Sequence, residues 1–251
     1  MSSPIQPLVI DTPRVWKGHF GVPEKRIYKR IKSKLIELEK NWPNSSYGSL
    51  FKDTNGSVEQ VGNCFSTSAI DEYRPHKLEE FRLFYKHLYK DLVSLYFEVY
   101  GGTSPQPHSL EKVFDTGFYS VKTDHAREEF GRLLKEKPEY WEKKLHEKFF
   151  IIERSWFNIN YEGGQTTEHH HIPSPFVCSY YLNVPQGGGD FLIRSRNPLW
   201  KEDKWKEEMV SIPVKSGDYL IFCGDIPHGA QPNTSKEERI VMSTNISLKD
   251  Y

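Results

Sequence analysis

From Glu24 to Trp42 the apolar residues fall at Ile27, Ile31, Leu35, Leu38 and Trp42. Spacings of four, four, three and four put them on one face of a helix, with Lys and Glu elsewhere. Pro43 cannot continue that helix. A longer helix is expected from about Lys77 to Tyr100, on the stripe Phe81, Phe84, Leu88, Leu92, Leu95 and Val99. Gly101-Gly102 would stop it. A third helical region, about His125 to Lys148, is broken at Pro138. Between the first two helices, Ser45 to Pro75 is rich in Ser, Gly and Asn and reads as loop with short strands.

After Phe149 the pattern shortens. Phe150–Ile152, Trp156–Asn160, Val177–Leu182, Asp190–Ile193, Met209–Pro213, Asp218–Phe222 and Ile240–Ser243 are short, β-branched or aromatic, and bounded by Gly, Pro or Asn. Regularly spaced strands with turn signals predict a sandwich or barrel. The expectation is an α+β chain with a mainly β core: helices packed on an antiparallel double-sheet roll. It reads as a single domain over 1–251, with a mainly helical support region over 1–148 and the roll over 149–251. Ser195 to Glu208, charged and holding Trp200 and Trp205, reads as an exposed loop between strands, with a lid as the lesser reading.

Composition narrows the classes. Lys and Arg total 34 and Asp and Glu total 34, so the net charge is zero. That balance predicts neither a nucleic-acid surface nor a membrane patch. No apolar run approaches the roughly 20 residues that span a bilayer. The first residues lack the charged start and apolar stretch of a signal peptide. Three scattered cysteines make neither a disulfide framework nor a metal pair. This fits a reducing compartment, and the expected location is the cytoplasm.

The candidate chemistry lies in Glu168-His169-His170-His171-Ile172-Pro173. In an extended segment His169 and His171 point to one side. Two imidazoles on one face make half or more of a metal site; the alternative is a polar surface run. His228 follows the strand Asp218–Phe222, and a roll can fold it back to the first pair. Arg239, Val241 and Ser243 share one face of the last strand. Arginine and a hydroxyl facing inward suit a carboxylate, which guanidinium binds bidentately. The alternative for Arg239 is a surface ion pair with Glu237 or Glu238.

His169-x-His171, Ser179-Tyr180-Tyr181-Leu182, Gly187-Gly188-Gly189-Asp190-Phe191, Gly217–Phe222, His228 and Arg239-x-x-x-Ser243-x-Asn245 together resemble the iron(II)- and 2-oxoglutarate-dependent oxygenases. The likeness is to their prolyl-hydroxylase-like branch and related oxygenases of phage and bacteria, and covers about Trp156 to Ser247. It implies a double-stranded β-helix, or jelly roll, with N-terminal supporting helices. The cofactors implied are Fe(II), 2-oxoglutarate as cosubstrate, and O2. By motif position His169 and His228 would bind iron. Arg239 would take the distal carboxylate of 2-oxoglutarate, with Ser243 and Tyr181 donating to it. Asn158 or Asn160 would touch cosubstrate or substrate, strand-edge hydrogen bonding being their alternative. Tyr180 should face away into the core. The implied reaction hydroxylates an unactivated C–H bond of an amino acid, a peptide or protein residue, or a small metabolite, releasing succinate and CO2.

One position departs from the family. The usual ligand set is two His and one carboxylate, and His171 stands where the acid belongs. The preferred reading makes His171 a third ligand. The alternatives are a vacant position filled by water or halide, as in halogenating relatives, or a set completed by Glu168 or Asp225. A register shift making His170 the ligand would put Ile172 at the acid position. A three-His thiol dioxygenase and a non-catalytic metal-binding roll are further alternatives. The sequence sets neither the substrate nor the oligomeric state.

Overall fold

The computed structural model describes residues 3–7, 15–42, 60–100, 150–197 and 206–248. Two compact units are present: residues 1–80 with 153–246, and 81–152 with 247–251. Almost all of the β structure belongs to the first. Four strands come from its N-terminal part: β1 (Ser3–Pro7), β2 (Val15–His19), β3 (Gln60–Val61) and β4 (Cys64–Ser66). The remainder are β5 (Phe150–Asn160), β6 (Gln165–Thr166), β7 (Phe176–Asn183), β8 (Phe191–Asn197), β9 (Lys206–Ile212), β10 (Asp218–Cys223), β11 (His228–Ala230) and β12 (Arg239–Leu248).

A seven-stranded sheet runs β1-β2-β10-β7-β12-β5-β4, and a three-stranded sheet runs β11-β8-β9. From β7 onward the chain visits the large sheet, the small sheet twice, the large, the small, then the large again. That antiparallel winding between two sheets is a jelly-roll, double-stranded β-helix. Val177, Tyr181, Leu220, Phe222 and Val241 of the large sheet join Phe191, Ile193 and Ile212 of the small one in a single buried cluster. Each such side chain contributes roughly 1.5–3 kcal/mol on burial.

The first helix is α1 (Lys25–Asn41), which buries Ile31, Leu35 and Leu38 and leaves Trp42 exposed at its end. In the second unit α2 (Arg82–Tyr100) follows, with Phe84, Leu88, Leu92 and Leu95 buried. It starts later than its apolar stripe suggests. Short 3-10 turns at Asp71–Tyr73, Pro75–Lys77 and Glu79–Phe81 occupy the approach, where Pro75 lacks an N–H to donate.

Three other expectations change. The N-terminal support region carries a strand where none was expected, since β2 extends the large sheet against β10, while β4, within the segment read as loop with short strands, pairs with β5. Phe150–Ile152 and Trp156–Asn160 are one strand, because Glu153-Arg154-Ser155 between them continues the ladder. Ser195 to Glu208 is not loop throughout. Ser195–Asn197 pair with Lys206–Glu208 as the outer end of the β8–β9 hairpin. Trp200, Trp205 and the helical region 125–148 lie outside the described residues.

Candidate metal centre

His169 and His228 sit opposite each other in a β-bridge that adds one residue pair beside β11. Each backbone N–H donates to the other's carbonyl at 2.9 Å. His171, two residues on, has its own N–H anchored on the Gly224 carbonyl at 2.7 Å. A Cβ on Gly224 would sit 1.9 Å from the Ser174 carbonyl oxygen, so only glycine lets the chain pass this close. The period of two then turns His169 and His171 to the same side, facing His228.

The three rings converge. Their ligand nitrogens all lie within 4.8 Å of one another. His169 Nδ1–H donates to the Thr167 carbonyl at 2.8 Å, and His228 Nδ1–H to the Ile226 carbonyl at 3.0 Å. Those bonds set the tautomer and leave each Nε2 as a lone pair aimed inward. The Nε2 atoms of His169 and His171 are 3.2 Å apart. Two lone pairs at that distance repel, so a proton or a cation must lie between them. Burial, then the neighbouring imidazoles, push His171 and His228 well below the ordinary histidine range. They are therefore neutral at pH 7, the form that binds metal. Phe222 and Phe191 flank His228 at 4.4 and 5.5 Å between ring centroids, and Trp156 lies 5.7 Å from His171.

No carboxylate belongs to this cluster among the described residues. Glu168 is held instead by Arg194, with Nε to Oε2 at 3.1 Å and Nη2 to Oε1 at 2.6 Å. Asp225 is exposed and is not part of the cluster. His170 lies outside it as well, and Ile172 is 55% exposed.

The same cavity continues to Arg239, Tyr181, Ser243 and Asn158. The β12–β7 register pairs Val241 with Tyr181 and Ser243 with Ser179, so the inward faces of both strands meet. Arg239 is 2% exposed, and its guanidinium carbon lies 5.4 Å from the Tyr181 ring centroid. Among the described residues, neither Arg239 Nε nor the Tyr181 hydroxyl has a hydrogen-bond partner. The surface ion pair with Glu238 is not made, because Glu238 is engaged by Lys32. Burial lowers the Arg239 pKa and raises that of Tyr181. A buried cation without an anion is costly. A carboxylate placed here would satisfy both groups, so the donor set fits an acidic ligand.

Asn158 lines the cavity and its amide donates to Ser243 Oγ at 3.4 Å. The Asn160 amide is turned to Cys64 Sγ at 3.2 Å, and Asn160 does not line the cavity. Tyr180 faces the other way, donating to the Gly21 carbonyl at 2.5 Å. Sequence reasoning passed over Trp156 as a wall of the site. Its period-two relation to Asn158 was the available signal.

Residues 154–245 match the family model described as "Putative 2OG-Fe(II) oxygenase". The resemblance read from the sequence holds over that segment, and the family's iron(II) and 2-oxoglutarate are the cofactors it implied. No curated protein matches this chain by sequence. Among solved structures, a Pseudomonas putida prolyl-4-hydroxylase is similar at 11% identity, over 94% of this chain and 92% of that one, with TM-score 0.43. A prolyl hydroxylase in complex with a hypoxia inducible factor oxygen degradation domain peptide fragment from Trichoplax adhaerens is similar at 11% identity, over 94% and 84%, with TM-score 0.48. The non-heme alpha ketoglutarate dependent epimerase SnoN is similar at 18% identity and TM-score 0.33. That match covers 41% of this chain and 49%, about half, of SnoN.

Proposed function

We propose that this chain is an iron(II)- and 2-oxoglutarate-dependent oxygenase that hydroxylates an unactivated C–H bond of an amino acid, a peptide or protein residue, or a small metabolite. One observation carries the reading: a single cavity joins three converging imidazoles to a buried guanidinium that makes no ion pair among the described residues. A thiol dioxygenase or an inert roll leaves that guanidinium without a task.

In this reading His169, His171 and His228 hold iron(II) through Nε2, with Thr167 and Ile226 carbonyls fixing two of the rings. Arg239 binds the distal carboxylate of 2-oxoglutarate in a charge-assisted, bidentate contact. The Tyr181 and Ser243 hydroxyls donate to the same carboxylate. Phe191, Phe222 and Val241 keep bulk water from the cavity, which strengthens each polar contact inside it. The bound metal and cosubstrate supply oxidative decarboxylation of 2-oxoglutarate to succinate and CO2, coupled to oxygen insertion into the target C–H bond. The protein's part is to orient that bond and exclude solvent.

Anaerobic addition of iron(II) and 2-oxoglutarate should produce a weak visible charge-transfer band, and its absence counts against the proposal. Mass spectrometry of candidate amino acids and peptides incubated with iron, 2-oxoglutarate and O2 should then find a product 16 mass units heavier, the mass of one oxygen atom. A chlorinated product, formed only with chloride present, would favour the halogenating alternative.

A further inference from the structure

The three histidines are not equivalent. His169 and His228 lock each other's backbones through the bridge, and each ring has its Nδ1–H fixed on a carbonyl. They are 6% and 4% exposed. His171 differs on each count. The residue as a whole is only half-buried, and its Nδ1 has no hydrogen-bond partner among the described residues. Its ring contacts are the other two imidazoles and Trp156. The chain leaves it directly into the exposed Ile172 and Pro173.

A ligand whose second nitrogen is unanchored keeps its rotational freedom and loses the orientation that a carbonyl partner provides. Such partners are worth about 10–100-fold in metal affinity. Charge acts in the same direction. Three neutral imidazoles leave a divalent ion with its full charge in a cavity that also holds the Arg239 cation, so an anion is favoured over a neutral ligand there.

We infer that His171 is the exchangeable ligand of the centre: it holds the resting metal and yields its position to a small monovalent anion, while His169 and His228 stay bound. This rests on the three-histidine metal reading above. Trp156 gives the displaced ring a face to pack against, so release does not require unfolding of the segment. His171 then acts as a placeholder at the position where the family carries a carboxylate.

The test uses the full chain loaded with cobalt(II), a redox-inert stand-in whose paramagnetism shifts ligand ring protons out of the normal NMR range. Three shifted imidazole N–H signals are expected, two exchanging slowly with solvent and one quickly. Titration with azide should abolish the fast-exchanging signal and leave the other two. His171→Ala should still bind cobalt(II), keep both slow signals, and remain folded by circular dichroism. His169→Ala and His228→Ala should lose far more affinity. Three signals that persist at saturating azide overturn the inference while leaving the metal centre intact. Equal affinity losses in all three variants also overturn it. A wild-type chain that binds no cobalt(II) overturns the metal reading itself, and the inference with it.

Discussion

At the scale of single residues, Arg239 carries the most testable claim. It is buried, charged and makes no ion pair among the described residues, so the ligand-free protein bears the cost of desolvating it. Arg239→Met should weaken 2-oxoglutarate binding by about 2–5 kcal/mol, at least roughly 30-fold in Kd. The same change should leave the ligand-free protein as stable as wild type, or more so, because it removes an uncompensated charge. Calorimetric titration and urea denaturation read the two effects separately; unchanged affinity would reject the carboxylate assignment. Arg239, Val241 and Ser243 were legible as one face from the period of two alone. That Arg239 makes no ion pair among the described residues was not legible, since Glu237 and Glu238 adjoin it in sequence. Only the structure turns Glu238 to Lys32 and the guanidinium inward. Asn158 and Asn160 show the same limit. Alternation treats them alike, but Cys64 on the neighbouring strand engages one of them.

Among the elements, the contribution of β2 was hidden. Val15–His19 is too short to show a period, and Gly18 breaks what alternation it has. Glycine is needed there because the Tyr219 ring lies over it. A Cβ on Gly18 would fall 2.2 Å from that ring, which is fully buried and cannot swing away. Gly18→Ala should therefore destabilise the protein by about 1–3 kcal/mol through overpacking between β2 and β10. A urea midpoint equal to wild type would show that the ring yields. A second element-level contact ties the turn at Pro75–Lys77 to β5. His76 Nδ1 lies 2.6 Å from Ser155 Oγ, and its backbone N–H donates to the same oxygen at 3.0 Å. Burial, then Lys77 and Arg74, lower the His76 pKa from 6.5. The folded state thus prefers the neutral ring. As pH falls below 6.5 the unfolded chain takes up a proton first, and stability falls until the folded-state pKa is passed. His76→Gln should flatten that part of a stability-versus-pH curve; an unchanged slope would remove His76 from the account.

For the whole molecule, the two halves of the site share one cavity, so their ligands should be linked. Cobalt(II) and 2-oxoglutarate together should raise Tm by more than the sum of their separate effects. A ligand at about 100 times its Kd adds about 2.7 kcal/mol, which for a chain of this size is on the order of 5–10 °C. Strict additivity in a thermal melt would mean that the carboxylate pocket and the imidazoles do not hold one cosubstrate between them. The sequence by itself determined what is local. Period two put His169 beside His171 and gave β12 its inward face, while apolar runs and turn residues marked most of the strands. Helical spacing marked α1 and α2. Those signals follow from backbone geometry within a few residues. Tertiary structure alone decided which distant segments meet: the His169–His228 bridge, the completion of the large sheet by β2 and β4, and the isolation of Arg239 from every acid near it in sequence. Strand register is set by which apolar faces can be buried together, a property of the packed chain that no short window contains.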